Sequence, residues 1–278
     1  MFLRRALSIA LIASAPALPL ALLGSACSSE KPAPPAPQPI VIGVSLGLTG
    51  SLESTAAPLK NATKVAEVQI NSLGGLFGRP VEFRIIDDTS DDGNVIKQRV
   101  TALLDQGAVA LIGPGGSQQV KNIQEILSSR KIIQVASTAT SPDLTAMQPS
   151  LDRYFFRTVP SDDLQGKAVV LFAASGPPGA SADGGPPKLF CSKMAVVHID
   201  NSYGNAMADV IGRFFPKRGG SIELDLPVSA KPADNNNAEV DQVIAAHPGC
   251  LVLIGYDDVG DAFMTDLKAR TSELPANE

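Results

Sequence analysis

An α/β fold of two lobes, each built on a parallel sheet and joined by a hinge, is what the sequence predicts. Three observations predict it. Short continuous apolar runs such as Ile40–Leu46 and Val109–Ile112 read as strands buried on both faces. Each is followed by a turn rich in small residues and then by a helical pattern, the order that delivers parallel strands. This rhythm runs once to about Pro142 and restarts near Met194, with a single crossing strand between the two series.

The first strand is Ile40–Leu46, followed by the loop G-L-T-G-S-L-E-S-T and a helix from about Ala57 to Asn71. Ala57, Leu59, Val65, Ala66, Val68 and Ile70 are expected to supply its apolar side. After the turn G-G-L-F-G-R-P comes a strand over Val81–Ile86, then a helix over Asn94–Gln106. Asp87, Asp88, Asp91 and Asp92 suggest a calcium loop, but counting from Asp88 puts Arg99 at the twelfth place, where a glutamate is required. They are read as strand-end and helix-capping acids.

The stretch from Val109 to Pro142 organises the rest. Its two apolar runs, Val109–Ile112 and Ile132–Ala136, stop at G-P-G-G-S and S-T-A-T-S-P. In open α/β sheets such corners at the carboxyl ends of strands are where ligands bind. Gly113, Gly115 and Gly116 allow close backbone approach, and Ser117 stands where a helix starts, as a cap or as a ligand contact. Ser137, Thr138 and Thr140 add hydroxyls on the neighbouring corner. The combination suits a small anion, a carboxylate above all.

The crossing strand is Tyr154–Val159, and a helix from P-S-D-D-L-Q-G runs to about Ala174, with the hinge near Val159–Asp162. A surface loop, G-P-P-G-A-S-A-D-G-G-P-P, separates the series. The second series is strand Met194–Ile199, helix Asn205–Lys217, strand Ser221–Pro227, helix Ala238–Ala246, strand Leu251–Ile254 and helix Asp261–Arg270. His198 reads as a core histidine, and Arg157 as a tie between the hinge strand and a neighbouring loop.

The amino terminus reads as an export signal over residues 1–26: Arg4 and Arg5, an apolar run broken by Pro16 and Pro19, and Gly24-Ser25-Ala26 at the cleavage site. Cys27 follows, so either lipidation or ordinary cleavage with a free thiol is expected, and a proline-rich tether spans 27–39. Two of the chain's 23 Lys and Arg lie in the signal and none of its 28 acids, which leaves a net charge of −7. That sign, with no basic cluster and no Trp, argues against nucleic acid as a partner. No metal-ligand spacing, G-x-S-x-G elbow or G-x-G-x-x-G fingerprint is present, so neither enzyme nor cofactor nor metal is expected.

Six segments in order, I-G-V-S-L-G-L-T-G, I-N-S-L-G-G-L-F-G-R-P-V-E-F-R-I-I-D-D, I-G-P-G-G-S, S-T-A-T-S-P-D-L-T, F-R-T-V-P-S-D-D-L-Q-G and V-V-H-I-D-N-S-Y-G, resemble the type I periplasmic binding proteins of the branched-chain amino-acid (Leu/Ile/Val) family. The resemblance covers Ile40 to about Ala269. It implies two Rossmann-like lobes, 40–160 and a partial 161–278, closing over one small ligand, and no catalysis. It also implies delivery of an amino acid or analogue to an ABC permease from the periplasm or cell surface, with membrane contact through the lipid on Cys27 alone. A ligand-binding sensory module of a receptor or regulator is the alternative.

By the same resemblance Ser117, Thr140 and the backbone at Thr138 and Ala139 hold the ligand's carboxylate and ammonium, and Tyr203 reaches in from the second lobe. Asp257 falls where the family often has an aromatic, and would favour an ammonium or a basic or polar ligand. The family continues for roughly another hundred residues and there holds an acid for the ligand ammonium. The chain is therefore expected to be a fragment or a degraded paralogue, binding weakly in this form. Cys191 and Cys250 each precede a strand of the second lobe; neighbouring strands would bring them together, and an exported protein permits a disulfide.

Overall fold

The computed structural model describes residues 37–148, 152–176, 189–231 and 233–270. The expected export signal, Cys27 with most of its tether, nearly all of the Gly/Pro-rich loop and the last eight residues lie outside the described residues. Among the described residues no helix is long and apolar enough to cross a membrane.

The first lobe runs β1 Ile40–Leu46, α1 Ala56–Ser72, β2 Val81–Asp87, α2 Gly93–Asp105, β3 Ala110–Ile112, α3 Ser117–Ser129, β4 Ile133–Ala136, α4 Asp143–Ala146 and β5 Phe155–Arg157. Its five strands pair in parallel in the order β2-β1-β3-β4-β5. The chain then crosses once into α5 Asp162–Ser175, β6 Lys193–Ile199, α6 Ser202–Phe214, β7 Ser221–Val228, α7 Asn237–Ala245, β8 Cys250–Ile254 and α8 Asp257–Ala269. These three strands are also parallel, in the order β7-β6-β8.

β6 is buried on both faces, which is why its sequence is a continuous apolar run. Met194 and Val196 pack with Met207, Ile211 and Phe215 on one side. Val197 and Ile199 pack with Val240, Val259 and Phe263 on the other. In the first lobe Val41 and Leu111 meet Ile96, Val100 and Leu103 of α2 and Ile123 and Leu127 of α3.

α1 departs from the expected pattern. Of its residues Ala56 alone is buried, and Val65 and Val68, expected on the apolar side, are 65% and 69% exposed. The half-buried stripe is Leu59, Thr63, Ala66, Glu67, Ile70 and Asn71, at helical spacing. Its polar members hold an otherwise unpaired stretch of strand: Glu67 accepts from Phe83 N at 2.7 Å, and Asn71 both accepts from Val81 N and donates to Val81 O. α1 thus covers backbone that would otherwise invite edge pairing.

Several boundaries also shift. α6 starts at Ser202 rather than Asn205, because Asn201 caps it by accepting from Tyr203 N and Gly204 N. α8 starts at Asp257 rather than Asp261, with both acids of Asp257-Asp258 in its first turn, where the helix dipole favours them. β5 is shorter than Tyr154–Val159, and the short α4 was not expected.

Candidate functional site

All the parallel strands of each lobe end on the same side, and the corners that follow them enclose a cavity of about 240 Å³. Its walls come from Ser51, Leu52, Ser54 and Thr55 after β1, Gly115–Ser117 after β3, and Thr138 and Thr140 after β4. From the other lobe come Gln165 of α5, Tyr203 after β6, and Gly255, Tyr256 and Asp257 after β8.

The two glycine- and hydroxyl-rich corners are tied together. Ser117 is the first residue of α3, with Gly116 as the N-cap, so its hydroxyl does not cap the helix. It accepts instead from Thr140 N at 3.2 Å and Ser141 N at 3.1 Å. That leaves the Ser117 proton to donate into the cavity. The Thr138 hydroxyl donates to Gly115 O at 2.8 Å and so is already committed. Ala139 turns its methyl into the core with Val120, Ala136, Leu144 and Phe155, behind the wall, and neither it nor Ser137 lines the cavity.

The loop after β1 is held by Asp87. One carboxylate oxygen accepts from Leu48 N, Thr49 N and Thr89 N, the other from the Thr49 hydroxyl, and Arg99 lies 3.2 Å away. Burial pushes the Asp87 carboxyl up, but the donors from Thr89, Thr49 and Arg99 outweigh it and leave the pKa below the usual carboxylate range. The other three acids hold loops as well. Asp88 accepts from Ser45 and Ser90, Asp91 from Ser51 N, and Asp92 caps α2 at Asn94 N and Val95 N.

A folded pKa below the unfolded value makes the Asp87 contribution full above about pH 4, and lost as pH falls through the folded value. Asp87→Asn should lower neutral-pH stability by about 2 kcal/mol, as bonds to a charged acceptor are removed. It should also flatten the acid limb of an unfolding-versus-pH curve. Parallel acid limbs for variant and parent would contradict this role.

On the facing wall Tyr203 and Tyr256 stack with ring centroids 5.9 Å apart and planes at 12°. Asn201, while capping α6, also donates to the Tyr256 hydroxyl at 3.3 Å. Burial, then the charge of Asp162 and the neighbouring Tyr256, push the Tyr203 hydroxyl up to about 12, so it stays a neutral donor. The aromatic surface that the resemblance placed at Asp257 is supplied by Tyr256 beside it, and both line the cavity. An exposed pair, Lys231 with Asp91 at 3.7 Å, joins the lobes and contributes little.

Arg157 ties β5 to the segment at α4, donating to Ser141 O at 2.9 Å and to the Thr145 hydroxyl at 2.8 Å. His198 is buried, with Asp225 3.2 Å from its ring. Cys191 and Cys250 are joined as a disulfide at the amino-terminal edge of β6 and β8. Among the described residues no group of three or more His, Cys, Asp or Glu is placed to hold a metal.

The reading of the sequence missed the loop at residues 51–55 and Gln165. The rim rule that singled out the corners after β3 and β4 applies equally to β1. S-L-E-S-T carries no glycine to draw attention to it, although its hydroxyls were a sufficient signal.

A family model described as periplasmic binding protein matches residues 39–271. The chain is 27% identical over 237 residues to the chemotactic signal transduction system substrate-binding protein BasB of Halobacterium salinarum, covering 84% of this chain and 54% of that protein. It is 28% identical over 225 residues to Leu/Ile/Val-binding protein homolog 3 of Brucella melitensis, covering 80% and 55%. The chain thus spans about half the length of these relatives. Among solved structures, a solute-binding protein of an ABC transporter from Rhodopseudomonas palustris BisB5, in complex with 3,4-dihydroxybenzoic acid, superposes with a TM-score of 0.67 at 19% identity. That superposition covers 84% of this chain and 59% of the other, a likeness of fold.

Proposed function

Because the chain belongs to the periplasmic binding protein family, we propose that it is an extracytoplasmic solute receptor that captures an amino acid or related small carboxylate. In this reading residues 40–160 and 161–278 act as two lobes, a lipid on Cys27 after signal cleavage provides the tether, and the ligand is handed to the permease of an ABC importer. One observation carries it: a cavity with donors on one wall and stacked tyrosines on the other.

A carboxylate at the first wall would meet the Ser117 and Thr140 hydroxyls and the free N–H groups of the first turn of α3. Charge-assisted bonds of this kind contribute about 1.5–3 kcal/mol each, enough for a micromolar dissociation constant at about −8 kcal/mol. Tyr203 and Tyr256 would cover the remainder, and closure of the lobes would exclude water. The names of the relatives and the bound aromatic acid support a carboxylate ligand. The likeness to BasB favours a second use, in which the loaded receptor signals rather than feeds a transporter. The capture step is the same in both.

A thermal-shift screen of the chain against L-amino acids, their amides, aromatic acids and urea tests the proposal. A ligand at 100 times its dissociation constant adds about 2.7 kcal/mol, a rise of roughly 5–10 °C for a chain of this size. Response to a carboxylate and none to urea is expected. No response to any carboxylate at millimolar concentration would remove the proposal.

A further inference from the structure

The outer face of α1 and the turn after it carry apolar side chains that the fold does not use. Val65, Val68 and Leu76 are exposed, Leu73 is 82% exposed and Phe77 97%. Val65 and Val68 lie on the side of the helix away from the stripe that covers β2. Phe77 stands at the tip of a tight turn, in which Leu76 N donates to Arg79 O at 2.8 Å and Arg79 N to Leu76 O at 3.0 Å. Its φ is +53°, a conformation unfavourable to a bulky L-residue, and it gains almost no packing in return. Such a patch marks a surface that meets something else.

Two observations say what. The first is charge: over residues 56–80 the bases are Lys60, Lys64 and Arg79, and the one acid, Glu67, is turned onto Phe83 N. An otherwise acidic chain is therefore basic here. Lys60 and Lys64 are exposed along one flank of α1, where their stems can lie on an apolar surface and their ammonium groups reach its charged boundary. Apolar side chains flanked by lysine on an exposed helix face suit an anionic lipid surface.

The second is the tether. Arg79 donates from Nε to Gln38 O at 2.8 Å and from Nη2 to Pro39 O at 3.2 Å, which fixes the chain's entry to β1 against the Phe77 turn. Residues 28–36 separate Cys27 from Pro37, and a stretch of that length spans at most about 35 Å. A lipid on Cys27 would hold this turn within that distance of the bilayer, and so raise the effective concentration of the surface it meets to the order of millimolar.

We propose that the outer face of α1 and the Phe77 turn dock on the anionic phospholipid surface that holds the Cys27 lipid. The proposal rests on the tethered-receptor reading and adds to the lipid a second, oriented contact with the membrane. None of the docking residues lines the cavity, so the docked lobe keeps its site clear of the lipid.

The chain has no Trp, so Phe77→Trp and, separately, Phe172→Trp on the exposed side of α5 each supply a single fluorescent reporter. Each variant, purified with the amino terminus that export leaves, is reconstituted with vesicles of phosphatidylcholine and phosphatidylglycerol that carry bromine on their acyl chains. The expected result is blue-shifted, bromine-quenched emission from Phe77→Trp and unquenched emission from Phe172→Trp. Adding Lys60→Ala and Lys64→Ala should lower the docked-to-free ratio about 10- to 30-fold, the combined effect of two basic side chains at such a surface. Absence of quenching in Phe77→Trp, or equal quenching of both reporters, overturns the proposal. A blue shift that grows with protein concentration without vesicles assigns the patch to a second copy of the chain and overturns it too. The mass of the amino-terminal peptide separates the two readings: an unquenched Phe77→Trp on an acylated chain removes the docking surface alone, and on an unacylated chain removes the tether with it.

Discussion

Gly113→Ala should destabilise the first lobe by about 3 kcal/mol or more in urea unfolding, and loosen the candidate site with it. Gly113 has φ of +86°, and a methyl built on it would lie 2.2 Å from Ser45 O, a backbone atom of β1 that cannot swing aside. The left-handed conformation costs an L-residue about 1–2 kcal/mol, and forcing an atom into a packed region costs about 1–3 more. Relief by a shift is restricted, because Gly113 N donates to Val135 O and Gly113 O accepts from the Gln134 side chain. The corner that carries Ser117 is therefore held between β1 and β4. Gly212 provides the contrast: it is exposed within α6, with nothing within 4 Å of an added methyl. Gly212→Ala should stabilise by about 0.5–1 kcal/mol. Equal effects of the two substitutions would show that the corner has no special geometry.

Removing the Cys191–Cys250 disulfide, as the double alanine variant, should cost about 2–4 kcal/mol and act on the second lobe. The bridge spans 59 residues, and a loop of that length corresponds to about 4 kcal/mol of denatured-state entropy. Cys191 is also 2% exposed, in the cluster with Met194, Ile211 and Phe215, so alanine there loses packing as well. Reductant added to the unmodified protein should reproduce most of the loss. Because Tyr203 and Tyr256 lie just beyond the far ends of β6 and β8, ligand affinity should fall as the sheet loosens. An unfolding midpoint untouched by either treatment would contradict a structural role for the bridge.

How far the sequence alone reached follows from which physical signals are local. Continuous apolar runs at Ile40–Leu46 and Met194–Ile199 mark strands because burial on both faces leaves no alternation to confuse with a helix. The side-by-side placement of β6 and β8 followed from doubly wound topology, which is why the cysteines could be paired. Helix starts were less legible: N-S-Y-G contains a glycine that resembles a turn, yet Asn201 makes it a first helical turn. Val65 and Val68 misled because hydrophobicity alone cannot say that α1 lies on polar backbone that needs Glu67 and Asn71.

The site divided in the same way. Glycines and hydroxyls at 113–117 and 137–142 point to a rim, but not to which hydroxyls are spent inside the wall. Thr138 is committed to Gly115, whereas Ser117 receives two amides and keeps a proton.

Amide hydrogen exchange with and without a bound carboxylate examines most directly whether corners of both lobes grip one ligand. Slowed exchange should appear together at residues 115–118 and 138–141 of the first lobe and at 202–204 and 256–258 of the second. Protection confined to one lobe, or lying away from these corners, would contradict it.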